Sequence, residues 1–497
     1  MTVLNYNCHE RTKDPSMPAM SKYEPVIGFE VHVELCTATK IFCSCPTTFG
    51  SPPNTQVCPV CLGMPGVLPV LNRRAVEFAL RTAMALNCNI PERCNFDRKN
   101  YYYPDLPKNY QISQNYACIG TGGWLDIETP AGTKRVRMNN VHLEEDAGKL
   151  IHPEDPGADY SLVDLNRAGT PLIEIVSEPD MSSAEDALAY MNTLKNLLEY
   201  LEVSDCKMQE GRLRFELNIS VREAGTERLG TKVEVKNLNS MKTVLKCIEH
   251  ETWRQTRLLE EGGRVMQETR LWDEAAGATR AMRSKEVAND YRYFPDPDLV
   301  EIHVTPEWRD AVRAHLPELQ EAKRRRFIEE YGLPEYDARI LTNSKPVASY
   351  YEAAVAAHPN PKALSNWMMT EVLRELNARE VEPADFALKP AGLAAIVRMI
   401  DEGRISGKIA KDVFAKAVES GRDPAEIVQA EGLVQVTDAG EVEKWVDEAI
   451  AENPDMVEKI RAGNTKTVQA LVGQVMKKSR GKANPKIVNE LIAAKLC

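Results

Sequence analysis

The stretch Pro25 to Leu35, PVIGFEVHVEL, leaves little choice of local structure. Ile27, Phe29, Val31, Val33 and Leu35 alternate with Glu30, His32 and Glu34. A period of two gives an extended strand one apolar and one polar face, whereas a helix would scatter the same side chains around its circumference. The polar face is the unusual one. Two carboxylates flank an imidazole, where a solvated face more often mixes acids with Lys, Thr or Ser. These groups bind hard cations and move protons. A wet face with a chance histidine explains the same three residues, so the rest of the chain has to decide.

Further alternating segments follow. Leu213, Phe215, Leu217, Ile219 and Val221 are interleaved with Arg214, Glu216, Asn218, Ser220 and Arg222, and Val233 and Val235 with Lys232, Glu234 and Lys236. Leu172, Ile173, Ile175 and Val176 enclose Glu174 in an otherwise apolar run. A carboxylate there needs a partner or a cation, and Arg167 is the nearest ordinary partner. Val136 to Leu150 carries His142, Glu144, Glu145, Asp146 and Lys149. These strands predict a largely antiparallel sheet with helices on one side and a charged face on the other. Arg74 to Leu86 reads as a helix. Ser182-x-x-Glu185 reads as a capping box opening a second helix that runs to about Leu201.

Cys43-Ser-Cys45 and Cys58-Pro-Val-Cys61 are two close pairs joined by a short loop bearing Gly50, Pro52 and Pro53. That spacing suits a structural zinc held by four thiolates; a redox dithiol would need only one pair. Cys88, Cys94, Cys118, Cys206 and Cys247 read as core residues. Between Arg98 and Gln114, Tyr101, Tyr102, Tyr103 and Tyr110 are mixed with Lys99, Lys108, Pro104 and Pro107. Such a loop either stacks on a base and holds a phosphate or is a tyrosine-rich structural turn. Neither Gly403-x-x-x-Gly407-Lys408 nor Gly120-x-Gly122-Gly123 has the spacing of a known nucleotide loop.

From Glu307 the pattern becomes helical, with Lys323-Arg-Arg-Arg326 read as a solvated face. The last stretch, Gly463 to Cys497, carries Lys466, Lys477, Lys478, Arg480, Lys482, Lys486 and Lys495 against Glu490. In a chain of 497 residues with net charge -11, that is the one concentration of positive charge suited to nucleic acid. Gly473 to Lys482 reads as a basic turn, and Asn484 and Pro485 as the cap and first residue of a last helix. Residues 1–24, with Met17 and Met20 as alternative starts, read as a disordered lead-in. The run lengths argue against a membrane span, and twelve clustered cysteines in a long chain without an expected export signal argue for metal over disulfides and for a reducing cytoplasm.

Several of these stretches are long enough to be identified. Gly28-Phe-Glu-Val-His-Val-Glu-Leu35, Cys58-x-x-Cys61, Tyr103-Pro-Asp-Leu-Pro-Lys-Asn-Tyr-Gln-Ile-Ser-Gln114, His142-Leu-Glu-Glu-Asp-Ala-Gly-Lys149, Asp164 to Asp180, Val235-Lys-Asn-Leu-Asn-Ser240, Met282-Arg-Ser-Lys-Glu286, Asp290-Tyr-Arg-Tyr-Phe-Pro295 and Val472-Gly-Gln-Val-Met-Lys477 resemble the B subunits of the aspartyl/glutamyl-tRNA amidotransferases. Two places depart from that pattern: Phe215-Glu216-Leu217-Asn218 stands for a smaller Cys-Asp-Ala-Asn, and Leu271 stands for Gly.

The resemblance implies an α+β chain. Its antiparallel-sheet cradle domain, with a zinc-stapled loop, would span 25–305; an all-helical domain 306–428 and a tRNA-contacting helical tail 429–497 would follow. It implies that ATP and Mg²⁺ phosphorylate the side-chain carboxylate of mischarged Glu-tRNA(Gln) or Asp-tRNA(Asn). A glutaminase A subunit would supply ammonia and a small C subunit would tie the two together. On that chemistry Glu30, His32 and Glu145 are the expected catalytic residues. Glu30, His32, Glu144, Glu145, Glu174 and Glu216 are expected around magnesium, and Cys43, Cys45, Cys58 and Cys61 around structural zinc. Lys108, Lys149, Arg167, Lys232 and Lys236 are expected to meet phosphates or the terminal adenosine. A solitary metal-dependent hydrolase and a zinc-stapled RNA-binding scaffold are the rival readings.

Overall fold

The computed structural model describes residues 22–153, 159–282, 291–433, 439–461, 465–479 and 483–496. The described residues form two compact units, one ending at Leu319 and one beginning at Gln320. Most of the expected lead-in, with Met17 and Met20, lies outside them, as do most of Met282–Glu286 and residue Asp290. The lead-in is shorter than expected, because Tyr23 and Glu24 are already strand. They pair with Glu223 and Arg222, and the Arg222 guanidinium donates to Glu24 at 2.7 Å.

The first unit is built on nine strands: β1 (Tyr23–Glu34), β2 (Gly120–Thr121), β3 (Trp124–Thr129), β4 (Gly132–Glu145), β5 (Pro171–Ser177), β6 (Leu213–Glu223), β7 (Val233–Lys236), β8 (Thr269–Asp273) and β9 (Ala278–Ala281). Their order is β9-β8-β7-β6-β1-β5-β4-β2, with β3 also on β4. Every pairing is antiparallel except β7 with β8. The alternating segment that opens the chain is thus a central strand between β5 and β6. Its odd-numbered residues Ile27, Phe29, Val31 and Val33 are fully buried with Val141, Leu143, Ile173, Ile175, Phe215, Leu217 and Val235.

Three helices pack on that apolar face: α1 (Arg73–Ala85), α2 (Ala184–Tyr200) and α3 (Met241–Glu260). Phe29 stacks on Tyr190 of α2 at 5.7 Å and meets the edge of Phe215 at 5.8 Å. The cap of α2 lies one residue later than the sequence suggests. Ser183 accepts from the Asp186 amide, and Asp186 takes the Ser182 amide, which removes Ser182 from the capping role. The helix Pro306–Ala314 packs against α1, and Val312 joins the core under the sheet. The sheet unit therefore runs past the boundary expected at 305.

The second unit is helical throughout its described residues. One core gathers Phe327, Tyr351, Leu393, Ile396 and Phe414. Lys323 and Arg326 both bond Glu352 from partly buried positions, so this basic run is not the freely solvated face expected of it. A smaller core, Val446, Leu471, Val475, Val488 and Ile492, holds the last four helices, Ala439–Glu452, Pro454–Arg461, Thr465–Lys478 and Pro485–Leu496. Gly473 lies inside a helix there instead of opening a basic turn, because Val472 and Val475 on either side are needed in the core. Lys478 pairs with Glu448 and Glu452, and Lys495 with Glu443 and Asp447, which removes two charges from the expected basic patch. Arg480 and Lys482 lie outside the described residues, as do the side chains of Lys466 and Lys486.

Candidate functional site

Sheet register builds the site. On the face opposite α2 and α3, His142 of β4 stands beside Glu174 of β5, Glu174 beside His32 of β1, and His32 beside Arg214 of β6. These four side chains lie in one row across four strands although the sequence scatters them over some 180 residues. The neighbouring row brings Glu30 beside Glu216. Because side chains alternate, each of these residues faces the same side by virtue of the apolar neighbours that face the core.

Two ligand-competent groups result. His32, Glu144 and Glu174 place ligand atoms within 4.8 Å of one another. His32 Nε2 lies 3.4 Å from Glu174 Oε2 and 3.8 Å from Glu144 Oε1. Ser113 Oγ donates to Glu144 at 3.2 Å, and Glu144 is 2% exposed. Glu30, Glu216 and Glu234 make the second group, with Lys236 bonding Glu216 at 2.5 Å and Glu234 at 2.8 Å. His32 Nδ1 lies 4.0 Å from Glu216 and joins the two. Glu30, Glu216 and His32 thus lie near one another, and Glu234 and His142 join these groups although the sequence reading did not single them out. The alternation Asn140, His142, Glu144 repeats the signature of β1 and is the signal that would have found His142.

The electrostatics of the first group ask for positive charge. Burial pushes Glu144 above the usual carboxylate range, and the adjacent Glu174 charge pushes it further. Burial opposes ionisation of Glu174 as well, but His142 and His32 hold it well below that range. For His32, burial disfavours the proton, yet Glu174, Glu216 and Glu144 bring it to about 9. Glu30 is raised by burial and by Glu174, against the donated Asn218 hydrogen bond at 3.1 Å. His32 Nδ1 is buried without a hydrogen-bond partner among the described residues. Carboxylates crowded in this way around the His32 Nε2 fit a divalent cation. Oxygen donors predominate, as magnesium prefers, and His32 is the less usual ligand. At the rim, Lys99 sits 5.0 Å over the Tyr291 ring and 5.9 Å over Tyr101. Burial works against its charge, but Glu144 prevails and raises it.

A third charged group closes one end of the row. Asp146 accepts from Arg214 at 2.9 Å and lies 3.6 Å from Arg167. Burial opposes its charge, but the two guanidinium groups hold it at about 2, while burial and Asp146 push Glu34 up to about 8. Arg167 also donates to the Ala147 and Gly148 carbonyls at 3.0 and 2.7 Å. It therefore braces the turn after β4 and is not the partner of Glu174, which the two histidines supply.

Glu145 departs from expectation. It follows Glu144 on one strand, so it turns to the other side and does not join the His32 group. It is 3% exposed, accepts from the Ile112 amide at 2.9 Å and pairs with Lys108. Lys108 is thereby neutralised instead of being left for a phosphate. Both line a cavity with Lys40, Phe42, Cys43, Cys61 and Tyr110. Lys149 is exposed on the short strand Lys149–Ile151, and Lys232 is exposed just before β7, beside Glu234. Lys236 is the basic residue of the expected set that reaches the acidic groups directly.

Cys43, Cys45, Cys58 and Cys61 bring their sulfurs within 4.8 Å of one another. The Cys58 amide donates to Cys61 Sγ at 3.1 Å, and the fully buried Lys40 ammonium lies 3.6 Å from the same sulfur. The Cys43 thiol, the Cys58 amide and Lys40 hold Cys61 as a thiolate at about 4, against its burial. Cys43 and Cys45 are pushed the other way, Cys43 chiefly by its hydrogen bond to Cys61 and Cys45 by burial, so the four sulfurs together suit a metal ion that would hold them as thiolates, and a four-sulfur set closes the coordination shell.

Two family models match most of this chain. The GatB/GatE catalytic domain family matches residues 25–310, and the GatB domain family matches residues 349–496. The aspartyl/glutamyl-tRNA(Asn/Gln) amidotransferase B subunit of Carboxydothermus hydrogenoformans is 53% identical over 478 residues, 96% of this chain and 99% of that protein. The corresponding B subunit of Moorella thermoacetica is 54% identical over 475 residues, 96% of this chain and 100% of that protein.

Proposed function

This chain belongs to the GatB/GatE family of tRNA-dependent amidotransferase B subunits, and from that premise we infer how its acidic row works. The substrate is the side-chain carboxylate of glutamate or aspartate mischarged onto tRNA. A free carboxylate resists ammonia because its leaving group would be oxide. Its oxygen therefore attacks the γ-phosphorus of ATP, an O–P bond forms and ADP departs. Ammonia then adds to the acyl carbon, phosphate leaves, and the amide gives up a proton.

The protein's part in such a transfer is positioning and charge neutralisation. The observation that carries the reading is the convergence of His32, Glu144 and Glu174 from three strands. These three would hold magnesium, which would neutralise phosphoryl oxygens. Glu30, Glu216 and Glu234 form a second acidic seat that Lys236 bridges, and a cation taking that place would free Lys236 to meet a phosphate. Lys99 offers a further ammonium next to Glu144. The tyrosines 101, 102 and 103 would receive the terminal adenosine. The four cysteines would hold zinc. A glutaminase A subunit would supply ammonia and a small C subunit would complete the assembly, working in the cytoplasm. No helix among the described residues is long and apolar enough to cross a membrane.

Mischarged Glu-tRNA, ATP and ammonia, with and without magnesium, test this. One ADP per Gln-tRNA, formed only with magnesium, is expected. Deacylated tRNA without ADP would indicate a hydrolase, and binding without either product a scaffold.

The tail would contact tRNA through lysines left unpaired by its own acids. Truncation at Gly463 cannot test this, since Leu471, Val475, Val488 and Ile492 are core. Changing Lys477, which is exposed, to Ala is expected to weaken tRNA binding and flatten the salt dependence of log Kd by about one phosphate contact. An unchanged slope would mean that this face is only solvated.

A further inference from the structure

β4 contains a bulge next to the acidic row, and its consequences reach Glu174. From Pro171 with Glu145 to Val176 with Asn140, β5 and β4 pair residue for residue; then Ser177 faces Met138. Asn139 is the extra residue. In an unbroken strand Asn139 and Asn140 would point to opposite faces. The bulge re-aims them, so that Asn140 Nδ2 donates to Asn139 Oδ1 at 2.8 Å.

The bonds run in one direction. Glu178, a carboxylate that can only accept, takes a bond from Asn139 Nδ2 at 2.8 Å. Asn139 must therefore turn its carbonyl to Asn140, and Asn140 its carbonyl to His142 Nδ1, 2.8 Å away. The other ring nitrogen of His142 lies 3.1 Å from Glu174 Oε2. Nδ1 is thereby held on the Asn140 carbonyl, which fixes the ring with Nε2 turned to Glu174. Glu174 Oε2 is also 3.4 Å from His32 Nε2. A cation seated among His32, Glu144 and Glu174 would occupy the lone pair of that nitrogen and end its bond to Glu174. His142 would then be the contact that keeps Glu174 aimed.

We propose that His142 is a positioning residue for the cation seat, and that the bulged Asn139–Asn140 pair, anchored on Glu178, exists to hold its ring. The proposal rests on the reading of Glu174 as a cation ligand. Partners that orient a ligand from behind commonly account for about 10–100-fold in metal affinity.

The test is a magnesium titration of ADP formation in the assembled amidotransferase with mischarged tRNA. His142→Leu should raise the magnesium needed for half-maximal rate about tenfold or more, with a much smaller loss at saturating magnesium. Asn140→Ala should give a smaller rise of the same kind. His142→Gln, which keeps a polar contact toward Glu174, should recover most of the wild-type requirement. A merely structural role would lower Tm and the saturated rate without moving the requirement, and that result in either His142→Leu or Asn140→Ala overturns the proposal. Glu174→Gln separates the two levels. If it raises the requirement while His142→Leu does not, the positioning role alone fails; if it leaves the requirement unchanged, the cation reading fails and the proposal with it.

Discussion

Glu144→Gln should reduce magnesium-dependent ADP formation at least about a hundredfold while tRNA affinity stays within about twofold. The change preserves volume and the Ser113 contact but removes a charge that the His32–Glu174 pair surrounds. Burial already makes that charge costly, so its retention in the fold needs a counter-ion in the working state. Tm should hold or rise slightly, because a neutral amide is easier to bury there than a carboxylate. Wild-type ADP formation in the variant would remove Glu144 from the site. Glu145→Gln is a poor substitute for this experiment. It strips the buried Lys108 ammonium of its partner, and leaving a buried charge alone costs about 3–5 kcal/mol, so lost activity there would report on stability first.

Cys61→Ser should abolish bound zinc, from about one ion per chain to none by elemental analysis, and lower Tm by roughly 6–12 °C. That range takes about 3 kcal/mol for the lost staple and the usual conversion for a domain of this kind. It is smaller than the binding energy of an isolated zinc finger because the surrounding chain is held independently: Asn54 bonds Val163, and Asn166 bonds Gln56 and Pro52. The Lys40 ammonium would also lose its thiolate. Limited proteolysis should then cut between residues 43 and 61. A variant that keeps its zinc, or loses it without any change in melting or cleavage, would leave the four cysteines without a structural role.

What could be read from the chain alone was whatever depends on neighbours in sequence. Alternation in Pro25–Leu35, Leu213–Arg222 and Lys232–Lys236 specified strands and told which side chains share a face. The cysteine spacing specified a cluster, and the quoted blocks specified the family. Helix caps came within one residue, missing at α2 because Ser182 and Ser183 are equally good caps until Asp186 chooses between them.

Register was beyond sequence reasoning, since a strand's polar face is the same whichever strand it pairs with. Only the pairing of β4, β5, β1 and β6 put His142, Glu174, His32 and Arg214 in one row, split Glu144 from Glu145, and divided the expected acidic shell into two groups. Charge neutralisation was equally invisible. Lys108, Lys478 and Lys495 are cations in composition, but the tertiary fold sets each against carboxylates distant in sequence, and Coulomb attraction at contact distance removes them from the charge a substrate would see. Local periodicity determines what each segment is; which charges remain for chemistry is decided when the segments meet.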